Sequence, residues 1–288
     1  MSRGTAPRTA PGPLRLGWAR GLVEFRQSFT SGPDLASHLV WPLLMLVALW
    51  YLREREFDGT DFALGTLALP GILGMNIALG LLTMSQLLTA DREDGTLLRA
   101  RAVPHGMRAY LTGKVVTVAG TLLADLLILL VPGTLLIDGL AVGGAGAWLT
   151  LAWVLPLGMA ATLPAGAVLG ALFTSTRAQG LIQIPVLAVI GISGVFYPLS
   201  ALPGWTQALA QVFPVYWLGL GTRSALLPDA MAAVEVSGAW RSGQTVGVLA
   251  AWAVVGLAVA PVVLRRMARK ESGSSVGARR ERAMQRVG

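Results

Sequence analysis

"LLTMSQLLTADREDGTLLRARAVPHGMRAYLTGKVVTVAGTLLADLL", residues 81–127, sets a strip dense in charge between two stretches of oil. The strip itself, residues 91–114, holds eight of the 38 charged side chains in the sequence. The runs on either side, 62–88 and 115–137, can each cross a bilayer core of about 30 Å, which takes about 20 helical residues. Composition fixes the solvent in the same sense. Charged residues are 13% of the 288 and hydrophobic ones 54%, gathered in long blocks that a soluble domain could not keep out of water. The sequence therefore specifies an all-α integral membrane protein.

Six stretches are expected to span: 37–52, 62–88, 115–137, 147–173, 181–197 and 246–264. The first and fifth are short. Pro70, Pro132, Pro156, Pro164, Pro185 and Pro261 lie inside these runs, where neighbouring helices satisfy the freed backbone groups, so kinked spans are expected. With spans assigned, alternate connections carry 19 Lys and Arg on one side and 4 on the other. The positive-inside rule puts the 19 in the cytoplasm, and with them both termini and the strip. Trp50, Tyr51, Trp148, Tyr197, Trp205, Trp217 and Trp240 gather near the expected outer boundary, where amphipathic rings settle.

The expected layout is a cytoplasmic tail and interfacial helix (1–33), a six-span unit (34–264) and a basic cytoplasmic tail (265–288). No apolar run of signal-peptide length follows the opening arginines, so the N-terminus is expected to be retained. Leu14, Trp18, Leu22, Phe25 and Phe29 make one apolar helical stripe with Arg15, Arg20 and Arg26 off it, which reads as a helix lying in the interface. The excess of basic over acidic residues lies beside apolar spans, so its expected partners are anionic lipid headgroups and not nucleic acid. Cysteine is absent, and the two histidines, His38 and His105, are far apart, so no metal site is expected.

Residues 198–245, expected outside, alternate Pro breaks with apolar pieces too short to span. This reads as a pair of short helices dipping back into the outer leaflet, which requires cover by protein or a cavity. Within the strip, Asp91, Glu93 and Asp94 precede Arg99, Arg101 and Arg108, an order that suits a short helix dipole. Gly95 permits a sharp turn, Thr96 can cap a helix begun there, and Pro104 with Gly106 ends it. The expectation is a stiff two-turn helix over 97–104 held below the membrane.

The strip resembles the cytoplasmic segment of ABC-2 type permeases, in which an acidic E-R-E-x-G-T-L cluster is followed at fixed intervals by a Pro and an L-x-G-K. Gly95, Pro104 and Lys114 keep those intervals; Asp91 stands where the family often has Glu, and Val103 where a hydroxyl residue often precedes the Pro. A second stretch, "SGVFYPLSALPGWTQALAQVFPVYWLGLGTRSALL" (193–227), is similar to the family's S-G-x-x-[FY]-P, L-P-x-W and P-x-x-[YW] pattern ending in an Arg, here Pro198, Pro203, Trp205, Pro214 and Arg223. The resemblance implies the membrane subunit of an ATP-driven exporter of the daunorubicin-resistance-like kind, in a homodimer or with a related permease in the cell membrane. It also implies that Arg92, Glu93, Gly95, Thr96, Leu97, Leu98, Arg99, Arg101 and Pro104 couple the spans to a separate ATPase.

The chain supports that division of labour independently. It has no G-x-x-x-x-G-K-[ST]; "TGKVV" around Lys114 lacks both the upstream Gly and the following hydroxyl. ATP and Mg are thus expected on a partner ATPase, with no cofactor and no enzymatic activity here. Gly166 and Gly170 form a G-x-x-x-G suited to contact between permease copies.

Asp125 lies near the centre of the third span and should face the bundle or a cavity. Three readings stay open: a protonated carboxyl bonded to an amide such as Asn76 or Gln183, a group facing a cationic drug, or a proton relay. The last would suit a proton-coupled secondary transporter, against which no second intramembrane acid or base is evident. Asp34 and His38, at helical spacing, read as an interfacial anchor. The cargo is expected to be a hydrophobic compound, because the spans offer few polar groups for the alternative, a polysaccharide or lipid-linked glycan.

Overall fold

Backbone that cannot reach water must bond to itself, so apolar runs of this length become helices. The computed structural model describes residues 12–55, 64–173, 176–195 and 197–270, and the regular elements among them are all helical. In chain order they are α1 Pro13–Ser28, α2 Gly32–Leu52, α3 Leu64–Glu93, α4 Thr96–Arg101, α5 Gly106–Leu136, α6 Ala145–Leu172, α7 Thr176–Ile192, α8 Gly204–Ala210, α9 Pro214–Leu226 and α10 Ser242–Lys270. Short 3-10 turns at Leu199–Ala201 and Asp229–Val234 flank α8 and α9. The Gly-Pro-rich start and all but the first residues of the basic tail lie outside the described residues.

Among the described residues five helices, α2, α3, α5, α6 and α10, are long and apolar enough to cross a membrane. The fifth expected span departs from 181–197: α7 has 17 residues, a rise of about 26 Å, and ends at Ile192. The chain then turns through Gly194, whose φ of 63° suits a residue without a Cβ. Elsewhere the helices outrun their apolar cores. α3 continues to Glu93 and α5 begins at Gly106, so both ends of the charged strip are helical extensions of spans. Hydropathy marks only the lipid-length part of a helix, and nothing in water obliges it to stop there.

α3 is the hub. Of its most apolar window 67% is buried, against 17% for α2 and 22% for α10. α6 crosses it at its small residues: a Cβ on Gly166 would stand 2.2 Å from the Leu81 carbonyl oxygen, and one on Gly170 2.7 Å from that of Ser85. The G-x-x-x-G is thus spent on α3 inside the chain and not on a second copy.

After α7 come two short helices, and α9 is buried along nearly its whole length against α3, α6 and α10. Thr222 donates its hydroxyl to the Pro70 carbonyl at 2.7 Å. Arg223 pairs with Glu235 at 2.6 Å and donates to the Gly194 carbonyl at 3.0 Å, both charged side chains being almost fully buried. Trp217, expected at the boundary, is buried within this segment, while Trp50, Tyr51, Trp148 and Trp205 are exposed. The other end of α7 is tied by Gln179, which accepts from the Ser85 hydroxyl at 3.0 Å and donates to the Thr89 hydroxyl at 2.7 Å.

α1 does not stand alone. Gly17 meets Ala109 and Thr112, Gly21 meets Gly113 and Val116, and Phe25 meets Gly120, so the helix runs parallel along the first half of α5. Leu14 and Trp18 of its apolar stripe remain exposed, whereas Leu22, Phe25 and Phe29 are half-buried.

Candidate functional site

The strip folds into a short helix on a braced base. Gly95 takes φ 79°, the left-handed turn its lack of a Cβ allows, and α4 follows at once. The cap is Asp94, whose carboxylate accepts from the Thr96 N–H at 2.7 Å; the Thr96 hydroxyl instead accepts from Arg99 Nη2 at 2.8 Å. α4 ends at Arg101, three residues before Pro104. A residue preceding proline is pushed out of the helical region, so Val103 could not extend the helix to the expected 104, and the chain turns through His105 at φ 56°.

The side chains divide by face. Leu97 is 2% exposed and belongs to the chain's own core, so it cannot offer apolar surface to another protein. Leu98 is half-buried, while Arg99, Arg101, Val103 and Pro104 are exposed. Glu93, in the last turn of α3, is half-buried. Arg92 is buried and donates to the Ala171 carbonyl at 2.9 Å, at the end of α6 where unpaired carbonyls concentrate negative potential.

Beneath the strip three helices share one cation. Lys114 of α5 lies 2.9 Å from Asp91 of α3 and 3.1 Å from Glu24 of α1. Tyr110 donates to Asp91 at 2.6 Å, and Arg20 to Glu24 at 2.8 Å. Burial alone would raise the Glu24 pKa, but the Arg20 hydrogen bond and the charge of Lys114 outweigh it and hold the carboxyl below its ordinary value. Gly17, Gly21 and Glu24 were not singled out by sequence reasoning, although the G-x-x-x-G of α1 was there to be read.

The intramembrane polar site differs from expectation in its partners. Asp125 Oδ1 lies 2.9 Å from His38 Nδ1, and the Phe29 ring stacks on the imidazole with centroids 4.5 Å apart. A base therefore does accompany the acid, and His38 is not paired with Asp34, whose carboxylate bonds to Ser31. Asn76 lines the same cavity as Asp125 but spends its amide N–H on the Ile72 carbonyl at 2.9 Å, and Gln183 lies on α7, away from that cavity. Helical rotation decides this: α2 and α5 pack side by side, and His38 is the polar residue level with Asp125.

A second, larger cavity of about 570 Å³ lies between α3, α6, α7, α9 and α10. Its wall is apolar, with Ala78, Val186, Val189, Phe213 and Val255 among it. Thr162 and Trp252 are the polar side chains there, and both donate to backbone carbonyls, of Gly158 and Val212.

A family model described as ABC-2 type transporter matches residues 15–227. No curated protein matches the chain significantly. Matched from within α1 to just past the end of α9, and built of helices long and apolar enough to cross a membrane, the chain belongs to the ABC-2 type transporter family and is a multi-pass membrane component of a transporter.

Proposed function

We propose that this chain is the permease subunit of an ATP-driven exporter that moves a hydrophobic compound out of the cell, energised by a separate ATPase docked on α4. What carries the reading is the form of the strip: a six-residue helix whose inner side is fixed by Leu97 and whose outer side bears Leu98, Arg99 and Arg101, with the exposed Val103 just past its end. A stroke made by one protein reaches the helices of another only through a stiff contact, and this one is closed at its base by the Lys114 ion pairs. Arg99 and Arg101 would meet acidic groups on the ATPase, which holds ATP and Mg. The face bearing α4 and the termini is the cytoplasmic one, and the segment containing α8 and α9 is extracellular. A second permease, a copy or a relative, completes the path. The apolar cavity beside α7 favours hydrophobic cargo over a glycan, which would need hydrogen-bonding partners along its length.

Leu98→Ala and Arg99→Glu test the docking. Both should insert in the membrane as wild type does, yet co-purify less ATPase and give a slower ATPase rate in the complex. A central contact of this kind commonly carries about 2 kcal/mol or more. Full retention by both, and by a Gly-Ser replacement of residues 98–103, would return the strip to an ordinary positive-inside loop. The His38 and Asp125 pair is the one observation favouring a proton-coupled secondary transporter. Proteoliposomes separate the two: uptake driven by a pH gradient without ATPase or ATP would establish the secondary mechanism and overturn this proposal.

A further inference from the structure

A carboxylate midway along an apolar helix is costly unless a partner neutralises it or the site receives a charged guest. Asp125 has one hydrogen-bonding partner among the described residues, His38 at 2.9 Å, and that contact occupies only Oδ1. Its side chain stays 26% exposed and lines a cavity of about 330 Å³ between α2, α3 and α5. That volume is at the lower end of the range that takes small molecules, about 300–1,000 Å³.

The two hydroxyls of the wall have turned their protons away, and the amide beside them offers an oxygen. Asn76 gives one of its two Nδ2 protons to the Ile72 carbonyl, and its Oδ1 is an acceptor without a hydrogen bond among the described residues. The Ser37 hydroxyl donates to the Asp34 carbonyl at 2.7 Å and that of Thr83 to the Leu79 carbonyl at 3.5 Å, so both offer lone pairs. Trp41, exposed at the rim, adds an indole ring, and indole rings attract cations. The charged groups on the three walls do not alter this balance. On α2 they are Asp34, bonded to Ser31, and His38; on α3 they come at its far end, Asp91 to Glu93; on α5, besides Asp125, Arg108 lies in the first turn and Lys114 is already held by Asp91 and Glu24. Asp125 is the wall's one carboxylate among the described residues, and the neutral amide and hydroxyl oxygens beside it are weak metal ligands, so the set suits an organic cation better than a metal ion.

We infer that this cavity binds a protonated organic amine with an apolar body, its ammonium on Asp125 and Asn76, and that the amine enters sideways from the bilayer past Trp41. The inference gives the exported hydrophobic compound a positive charge, and to that extent rests on the exporter reading. His38 holds the empty carboxylate and yields it to the ammonium.

The test uses the purified full-length chain in maltoside micelles without ATPase. The probes are dansylcadaverine, a fluorescent primary amine, and its neutral N-acetyl derivative. The amine should bind saturably and about tenfold or more tighter than the amide, as expected for a hydrogen bond to a charged group. Asp125→Asn should abolish that preference and leave binding of the amide unchanged, while His38→Gln, which frees the carboxylate, should bind the amine as well as wild type or better. Thr83→Trp, which fills the cavity from its exposed rim, should remove binding of the amine. Equal binding of the two probes by wild type, or wild-type amine binding by Thr83→Trp, overturns the site, as does a preference retained by Asp125→Asn eluting as wild type does. Export assays with an ATPase separate the two readings. Amine binding without ATP-dependent export sinks the exporter and leaves the site, whereas export of neutral compounds without charge preference sinks the site alone.

Discussion

Lys114 Nζ lies 2.9 Å from Asp91 Oδ2, so the last residue of the charged strip is clasped to its first. Glu24 takes the same ammonium from α1 at 3.1 Å, and Tyr110 donates to the same Asp91 oxygen. The clasp turns the strip from an open connection into a closed loop with α4 at its tip.

Removing the cation should cost more than removing the pair. Lys114→Met leaves the buried Asp91 and the half-buried Glu24 without it, a loss of about 3–5 kcal/mol for a buried ion pair. Thermal unfolding in detergent should show a clear drop in Tm, with much of it recovered in Lys114→Met combined with Asp91→Asn. A single mutant as stable as wild type would mean that the clasp is ornamental.

Acid should release α1. The folded pKa of Glu24 is depressed, so its contribution is present above the ordinary glutamate value of about 4.3 and is lost as pH falls through the lower folded value. Hydrogen exchange across Pro13–Ser28 should therefore accelerate below about pH 4 relative to α6. In Glu24→Gln, which has no carboxylate to titrate, exchange should already be fast at neutral pH and show no such step.

The two faces of α4 should respond oppositely to truncation. Leu97→Ala opens a cavity in the chain's own core and should cost about 2–5 kcal/mol. Val103→Ala, in the exposed turn that continues the outer side of α4, should change stability by no more than about 0.5 kcal/mol while weakening ATPase recovery. Equal Tm values for the two variants would show that the faces are assigned the wrong way round.

Gly166→Val should prevent folding and not merely weaken assembly, because its Cβ would stand 2.2 Å from the Leu81 backbone. The measurement is the yield of monodisperse protein. Normal yield with altered oligomeric state would indicate that this glycine serves a second copy after all.

The apolar blocks and their order were legible because hydropathy is a local property, and so was the turn at Gly95, where only a residue without a Cβ sits easily. What escaped reading depends on how one helix is rotated against another. His38 and Asp125 stand 87 positions apart, and nothing in either neighbourhood announces the other. Leu97 and Leu98 are adjacent and chemically equal, yet only the first is in the core. Gly166 and Gly170 showed that a close contact exists without saying with what. Asn76, weighed as a hydrogen-bond partner of Asp125, lines the Asp125 cavity but gives an amide N–H to its own helix.

α7 is anchored at both ends, by Gln179 to Ser85 and Thr89 and, just past Ile192, by the Gly194 carbonyl to Arg223, while Leu181, Ile184 and Leu187 between the anchors are exposed. A strut pinned at its ends cannot swing; it can only bow. Pro185, at mid-length, removes a backbone hydrogen bond where bending is easiest, and it lines the apolar cavity. Flexure of this one helix would thus widen or narrow the cavity like a bellows while both of its attachments stay fixed.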